Sequence, residues 1–418
     1  MNSSLAPEGA PTFYHLGIAP NVLAVLERLR FTTPTPIQHQ AIPLAIEGKD
    51  IVGIAQTGTG KTLAFGVPTI QHILATGGTG LVLLPTRELA LQVEETFHKV
   101  GQPLGIKTAL LIGGASMGPQ LAALKRNPDV VIATPGRLID HLDSGTIRLG
   151  GVSILILDEA DRMLDMGFLP QIRRILAALT PERQTMLFSA TLSPEIMTIA
   201  TKTMRLPLRI EVAPSGTTAE RVTQEFFMVR KDEKPRLLEK ILSEYRGSTL
   251  VFTRTKHGAK KITRVVRSLG HEAAEIHGNR SLNQRREALE GFKTGKYRVL
   301  VATDIAARGI DVRGIELVIN YDLPMQAADY VHRIGRTGRA GAEGHAISFA
   351  LPDERRDIRD IERLVRKSVP ISHLPELPPA RQVVQEREHA PRQLGRRGPS
   401  RPRRSFGRSR PSGRRPQW

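Results

Sequence analysis

The chain has 418 residues, a formal net charge of +19 at pH 7 and no cysteine. That length exceeds one ordinary core and implies two domains with an appendage, while the absence of thiols excludes disulfides, iron–sulfur clusters and thiolate zinc sites and suits a reducing compartment. The charge calls for a polyanionic partner, nucleic acid before an anionic membrane surface. The histidines show no paired-ligand spacing. The first residues, "MNSSLAPEGAPTFYHLG", have neither the basic end nor the apolar run of a signal peptide, and no apolar stretch reaches the roughly 18 residues of a membrane span. The expectation is a soluble, cytoplasmic protein.

Short apolar runs alternate with longer helical patterns, as in a parallel sheet with crossover helices, so the predicted fold class is α/β. In chain order the predicted strands are "DIVGIA", "GLVLLP", "DVVIAT", "SILILD" and "TMLFSA", then "TLVFT", "RVLVAT", "LVINYD" and "HAISFA". Pro, Gly, Ser and Thr interrupt the pattern between Arg205 and Val222. The expected organisation is a first domain over 1–207, a linker over 208–219, a second domain over 220–369 and a tail over 370–418. The halves repeat: "LVLLPTR" ends at Arg87 and "VVIAT" at Thr134, 47 residues on, while "LVFTR" ends at Arg254 and "VLVAT" at Thr303, 49 residues on. Each half then has an apolar strand ending in Asp, at Asp158 and Asp322. A duplicated αβ unit explains this; the alternative is that parallel sheets resemble one another by chance.

The first strand runs into a glycine-rich turn and a helical pattern. Gly58 and Gly60 allow successive N–H groups to point at phosphate oxygens above a helix N-terminus. Lys61 would reach the β- and γ-phosphates and Thr62 would hold Mg²⁺. The strict pattern wants glycine at position 55, where Ala55 stands. "SILIL" then delivers Asp158, Glu159 and Asp161 to a strand end. Asp158 stands where a second metal-holding carboxylate is needed, and Glu159 could orient an attacking water. Carboxylates at a strand end can instead cap the next helix, which explains one acid and not three.

Seven stretches, "AQTGTGKT", "PTRELA", "TPGRL", "DEAD", "SAT", "ATDIAARGID" and "HRIGRTGR", resemble in order the signature set of DEAD-box ATP-dependent RNA helicases, over about Phe13 to Ala350. "HGNRS" and the Arg-rich end are similar to the bacterial RhlE-like branch. The resemblance implies two tandem RecA-like domains, with ATP, Mg²⁺ and RNA bound across their cleft and one nucleotide site in total. It implies ATP contacts from Phe31 (stacking on adenine), Gln38 (reading its edge), the loop Ala55, Gln56, Thr57, Gly58, Thr59, Gly60, Lys61 and Thr62, and Gly309 and Asp311 near the ribose. Phe13 would support the adenine region. Arg336 and Arg339 resemble arginine fingers.

RNA contacts are implied for Arg87, Gly114, Thr134 and Arg137 on the first domain and for Thr253, Arg285 and Thr303 on the second, directed at backbone and sugar. Where the family often has Gln three residues before the RNA-facing arginine, this chain has Leu282. Asp161, Ser189, Thr191 and His332 would couple ATP chemistry to RNA grip, and closure of the domains would make ATP and RNA favour each other.

From Ala390 onward the chain has ten arginines and no acidic residue, so a disordered basic tail is expected to tether RNA by phosphate neutralisation, with Phe406 and Trp418 adding stacking. The implied function is an RNA-stimulated ATPase that locally unwinds short RNA duplexes and remodels ribonucleoproteins. Its expected partners are single-stranded, structured or ribosomal RNA and ribonucleoprotein or RNA-decay proteins, with no membrane. An ATP-gated RNA clamp or chaperone is the alternative, and a DNA translocase is disfavoured by the "DEAD" spelling and the adenine-reading turn.

Overall fold

The computed structural model describes residues 11–55, 58–212, 222–304, 312, 314–338 and 343–379. The first domain holds seven strands: β1 Ile51–Ile54, β2 Thr79–Leu83, β3 Thr108–Leu111, β4 Val130–Ala133, β5 Val152–Leu157, β6 Gln184–Ser189 and β7 Leu208–Glu211. The second holds β8 Val222–Met228, β9 Thr249–Phe252, β10 Ala273–Ile276, β11 Val299–Ala302, β12 Leu317–Asn320, β13 Gly344–Ala350 and β14 Ile371–Ser372. The sheets are ordered β3-β4-β2-β5-β6-β1-β7 and β10-β11-β9-β12-β13-β8-β14. Renumbering the second sheet from its own first strand reproduces the order of the first. The expected repeat therefore holds strand for strand: the sequence pairs it equates fall on β2 with β9, β4 with β11 and β5 with β12. These are the tandem RecA-like domains that the resemblance implies.

Every strand pairing among the described residues is parallel. All strands of a sheet thus end on one edge, and loops leaving that edge can converge on a ligand. The central strands β1, β2, β4 and β5 and their counterparts β9, β11 and β12 are buried along nearly their whole length because helices cover both faces. In the first domain Phe65 from the helix Lys61–Thr76 packs between Phe97 and Phe188, at ring distances of 6.2 and 5.6 Å, so the element that opens at the phosphate loop is anchored deep in the core.

Two expected boundaries move. Residues Leu208–Glu211, expected in the linker, form β7 and pair with β1, so the first sheet extends past 207. Residues 370–378, expected in the tail, belong to the second domain. Ile371 and Ser372 pair with β8, Phe226 N–H donates to the Pro370 carbonyl, and Arg236 Nη2 donates to the Leu377 carbonyl at 3.2 Å. Both segments are short edge pieces whose pairing depends on a strand far away in the chain. Most of the linker and the basic tail from 380 onward lie outside the described residues. Among the described residues no helix is long and apolar enough to cross a membrane.

Among the described residues Arg333 is the largest fully buried side chain, at 1% exposure. Its guanidinium grips both Asp304 oxygens at 2.5 and 2.7 Å, Asn320 Oδ1 at 3.1 Å and the Asp322 carbonyl at 2.6 Å. It also lies 5.1 Å from the centre of the Phe252 ring. This one residue ties the ends of β9, β11 and β12 together. Removing one partner of a buried pair leaves the other uncompensated, so Arg333→Ala is expected to destabilise the second domain by about 3–5 kcal/mol. Urea titration followed by circular dichroism checks this; an unchanged midpoint would contradict it.

Candidate nucleotide and RNA site

The helix Lys61–Thr76 begins where Gly58 and Gly60 both take φ of 89°, a backbone that L side chains rarely adopt. A Cβ on Gly60 would come within 2.4 Å of Gln38 Nε2 and 3.0 Å of Thr35 Oγ1. Glycine is required there for space as well as for conformation. Ala55, in place of the pattern's glycine, is buried, so the departure falls on the core side of the loop. Gln56 and Thr57 lie outside the described residues.

Gln38 is 3% exposed and uses both ends of its amide. Its Oε1 accepts from Thr35 N–H at 2.9 Å and closes a capping box, and its Nε2 donates to the Gly60 carbonyl at 2.9 Å. The residue expected to read adenine is thus bonded to the phosphate loop itself. One N–H and one lone pair remain for a further partner. Phe31 is 39% exposed and Phe13 is buried, which suits stacking by the first and support by the second.

At the floor of the loop the Lys61 ammonium lies 3.4 Å from Asp158 Oδ1, with both side chains buried. Lys61 Nζ has no hydrogen-bond partner among the described residues. Asp158 Oδ1 also accepts Glu159 N–H at 2.9 Å. Burial pushes the Asp158 carboxyl above its usual range; Lys61 pulls it back and Glu159 pushes it further up. The buried ammonium suits an anionic phosphate, and the buried carboxyl beside it suits a divalent cation. The hard oxygens of Thr62 and Asp158 fit Mg²⁺ shared with phosphate and water.

The three acids after β5 separate by their partners. Glu159 sits at φ 51°, ψ 51°, a left-handed conformation that a non-glycine residue holds only where its surroundings fix it. Its carboxylate is held by Arg162, which the sequence reading missed although the i,i+3 spacing was visible. Asp161 directs Oδ2 at Ala190 N–H, Thr191 N–H and the Thr191 hydroxyl, at 3.0, 2.9 and 3.0 Å, and its own N–H donates to Ser189 Oγ. It fastens the end of β5 to the end of β6.

His332, on the helix Ala327–Ile334 of the second domain, sits within electrostatic reach of Asp161, Arg162, Glu159 and Arg336. Burial holds its imidazole below the usual value, with Asp161 acting in the opposite sense. Arg336 is 2% exposed and donates Nε to the His332 carbonyl at 3.2 Å. His332 of the second domain therefore stands within electrostatic reach of the first-domain acids. Arg339, Gly309 and Asp311 lie outside the described residues.

On the edge where RNA is expected, Arg87 lies across Gly114: a Cβ there would come within 2.1 Å of its Nη1. Thr134 Oγ1 accepts Gly113 N–H at 3.4 Å, and Arg137 donates to the Ala115 carbonyl at 3.0 Å. Buried Gln120 braces the same loop through Ile112 and the Ser116 carbonyl, a role absent from the sequence reading. Thr303 is half-buried at the end of β11.

Two second-domain residues expected at the RNA surface are buried. Thr253 is fully buried, its hydroxyl turned to the Thr255 carbonyl at 3.3 Å. Arg285 is also buried, and pairs with Glu88 of the first domain at 2.6 Å. Burial pushes Glu88 above its usual range and Arg285 below its own, and the ion pair opposes both shifts. Leu282 packs against the apolar cluster of the first domain, so the departure at that position exchanges a polar support for an interdomain contact. A bond between domains stabilises their closure more than the fold of either. Glu88→Gln is expected to increase the radius of gyration in small-angle scattering while leaving the unfolding midpoint unchanged; an unaltered radius would contradict this.

Residues 35–199 match the DEAD/DEAH box helicase model and residues 233–341 the helicase conserved C-terminal domain model. The chain is 41% identical over 372 residues to DEAD-box ATP-dependent RNA helicase 30 of Arabidopsis thaliana, covering 87% of this chain and 63% of that protein. It is 43% identical over 377 residues to ATP-dependent RNA helicase DBP2 of Gibberella zeae, covering 87% and 68%. It thus spans under two thirds of the first relative's length and just over two thirds of the second's. Among solved structures it is similar to S. cerevisiae Dbp5 bound to RNA and ADP BeF3, with a TM-score of 0.78 and 30% identity over 87% of this chain and 96% of that one. It is also similar to Mss116p bound to ssRNA and AMP-PNP, with a TM-score of 0.79 and 28% identity over 86% and 78%. With the ordered motifs, the duplicated sheets and the loop geometry, these likenesses show that the chain belongs to the DEAD-box family of ATP-dependent RNA helicases.

Proposed function

We propose that this chain hydrolyses ATP in response to RNA and uses the cycle to separate short RNA duplexes and remodel RNA–protein complexes. The observation that carries the reading is the placement of His332, from the second domain, within electrostatic reach of Asp161 and Glu159 of the first, because it makes a complete site depend on closure. Lys61 and the loop Ala55–Thr62 bind the phosphates, and Thr62 and Asp158 hold Mg²⁺, which neutralises phosphate charge when bound. Glu159, fixed by Arg162, orients the attacking water. Arg336, with Arg339, stabilises charge on the transferred group. Phe31 and Gln38 select adenine, and the bond from Gln38 to Gly60 reports an occupied base pocket to the phosphate loop. Gly309 and Asp311 approach the ribose.

Arg87, Gly114, Thr134, Arg137 and Thr303 supply the RNA surface, and Asp161 with Ser189, Thr191 and His332 links it to hydrolysis. Thr253 and Arg285 shape that surface from beneath. The expected setting is cytoplasmic, with structured or ribosomal RNA and ribonucleoprotein or RNA-decay proteins as partners. A bacterial RhlE-like placement rests on "HGNRS" and the Arg-rich end alone, and the relatives described above, which are eukaryotic, lend it no support. Displacement of a labelled strand from a short RNA duplex tests the reading: release that requires ATP is expected, while ATP-gated binding without release would favour the clamp.

A further inference from the structure

The helix Lys256–Ser268 carries Lys256, Lys260, Lys261, Arg264 and Arg267 and no carboxylate. Its buried residues are Ala259, Ile262, Thr263 and Val266. At 3.6 residues per turn, Lys260, Lys261 and Arg264 fall on the side away from those residues, with Lys256 and Arg267 at its margin, and all five are exposed. Lys256 donates to Asn279 Oδ1 at 3.1 Å and Arg267 to the Ala273 carbonyl at 2.9 Å. Among the described residues no carboxylate forms an ion pair with Lys260, Lys261 or Arg264.

Solvation of a charged face is the ordinary explanation of such a helix, but two observations oppose it here. The first turn carries no acid, although each cation near a helix N-terminus works against the macrodipole by about 0.3–1 kcal/mol. The duplicated fold also supplies its own control. The helix Arg87–Gly101 follows β2 as this one follows β9, and it carries Glu88, Glu94 and Glu95, with Glu95 paired to Lys99. The topology does not demand a one-signed face.

Position indicates the partner. Thr255 caps the helix by accepting Gly258 N–H at 3.0 Å, directly after β9 ends, so the cationic arc starts at the edge where the RNA-facing loops emerge. From there it runs about 16 Å down the side of the second domain, at 1.5 Å per residue.

We propose that this face binds the phosphate backbone of RNA continuing beyond the segment held at the strand-end edge. The proposal rests on the RNA reading above and adds to it a second, sequence-independent contact. An acidic protein is the competing occupant.

The test uses the full chain and the triple variant Lys260→Ala/Lys261→Ala/Arg264→Ala. Binding is measured by fluorescence anisotropy across a salt series, to a single-stranded hexanucleotide and to the same hexanucleotide extended by a duplex. The variant is expected to bind the hexanucleotide as the parent does, and to lose about two units of log–log salt slope on the extended RNA, at roughly 0.7–0.9 per phosphate contact. The triple glutamate variant should weaken the extended RNA further. An equal loss on both RNAs, or unchanged slopes on both, would overturn the proposal, the latter leaving the face to an acidic protein. A parent chain that binds neither RNA would overturn the RNA reading itself, which the variant alone cannot do.

Discussion

Lys61→Ala is expected to lower RNA-stimulated ATP hydrolysis by at least about 10²–10³-fold, the scale seen when one preorganised charge-stabilising donor is removed. The structure gives the substitution a second effect. Lys61 is the basic partner of buried Asp158, and it opposes the upward push that burial exerts on that carboxyl. Without it Asp158 is driven further toward its neutral form, which is a poor ligand for a divalent cation. The loss should therefore appear in Mg²⁺ dependence as well as in rate, with a higher Mg²⁺ concentration needed for half-maximal nucleotide binding. Steady-state hydrolysis and a fluorescent-nucleotide titration over Mg²⁺ check both effects; parental rates with an unchanged Mg²⁺ requirement would contradict the placement of Lys61 and Asp158 in one site.

Arg336→Ala is expected to reduce hydrolysis by about 10³–10⁵-fold, the range for an arginine finger, while nucleotide binding changes little. Arg336 lies three residues after Arg333 on the same turn, yet the two should fail differently. Arg333 spends its donors on Asp304, Asn320 and the Asp322 carbonyl inside its own domain, so its loss is a folding defect. Arg336 shares its surroundings with His332, which lies within electrostatic reach of the first-domain acids, so its loss is expected to be a catalytic one. Unfolding curves and single-turnover rates measured on both variants separate the cases, and a matching stability loss in Arg336→Ala would argue against a finger.

Motifs confined to a few consecutive residues were legible in the sequence. The phosphate loop, the acids after β5 and the strand ends at Arg87, Thr134 and Thr303 were readable because each is a local change from apolar run to chemistry. The repeat was readable because it recurs in spacing, and the identical strand orders extend it to the edge strands. What was illegible depends on partners far apart in the chain. β7 and β14 are short edge strands that exist only through β1 and β8. Arg285 looks like a surface cation until Glu88, on the other domain, is brought to it. The meaning of Leu282 likewise lies in an apolar cluster of the first domain. Periodicity reports which face is covered and is silent on what covers it.

The central claim is that one ATP site is completed by closure of two domains around RNA. ATP hydrolysis by the full chain, measured alone, with single-stranded RNA and with DNA of the same sequence, tests it most directly. Slow hydrolysis alone, strong stimulation by RNA and little by DNA are expected; hydrolysis indifferent to RNA, or equally stimulated by DNA, would contradict this.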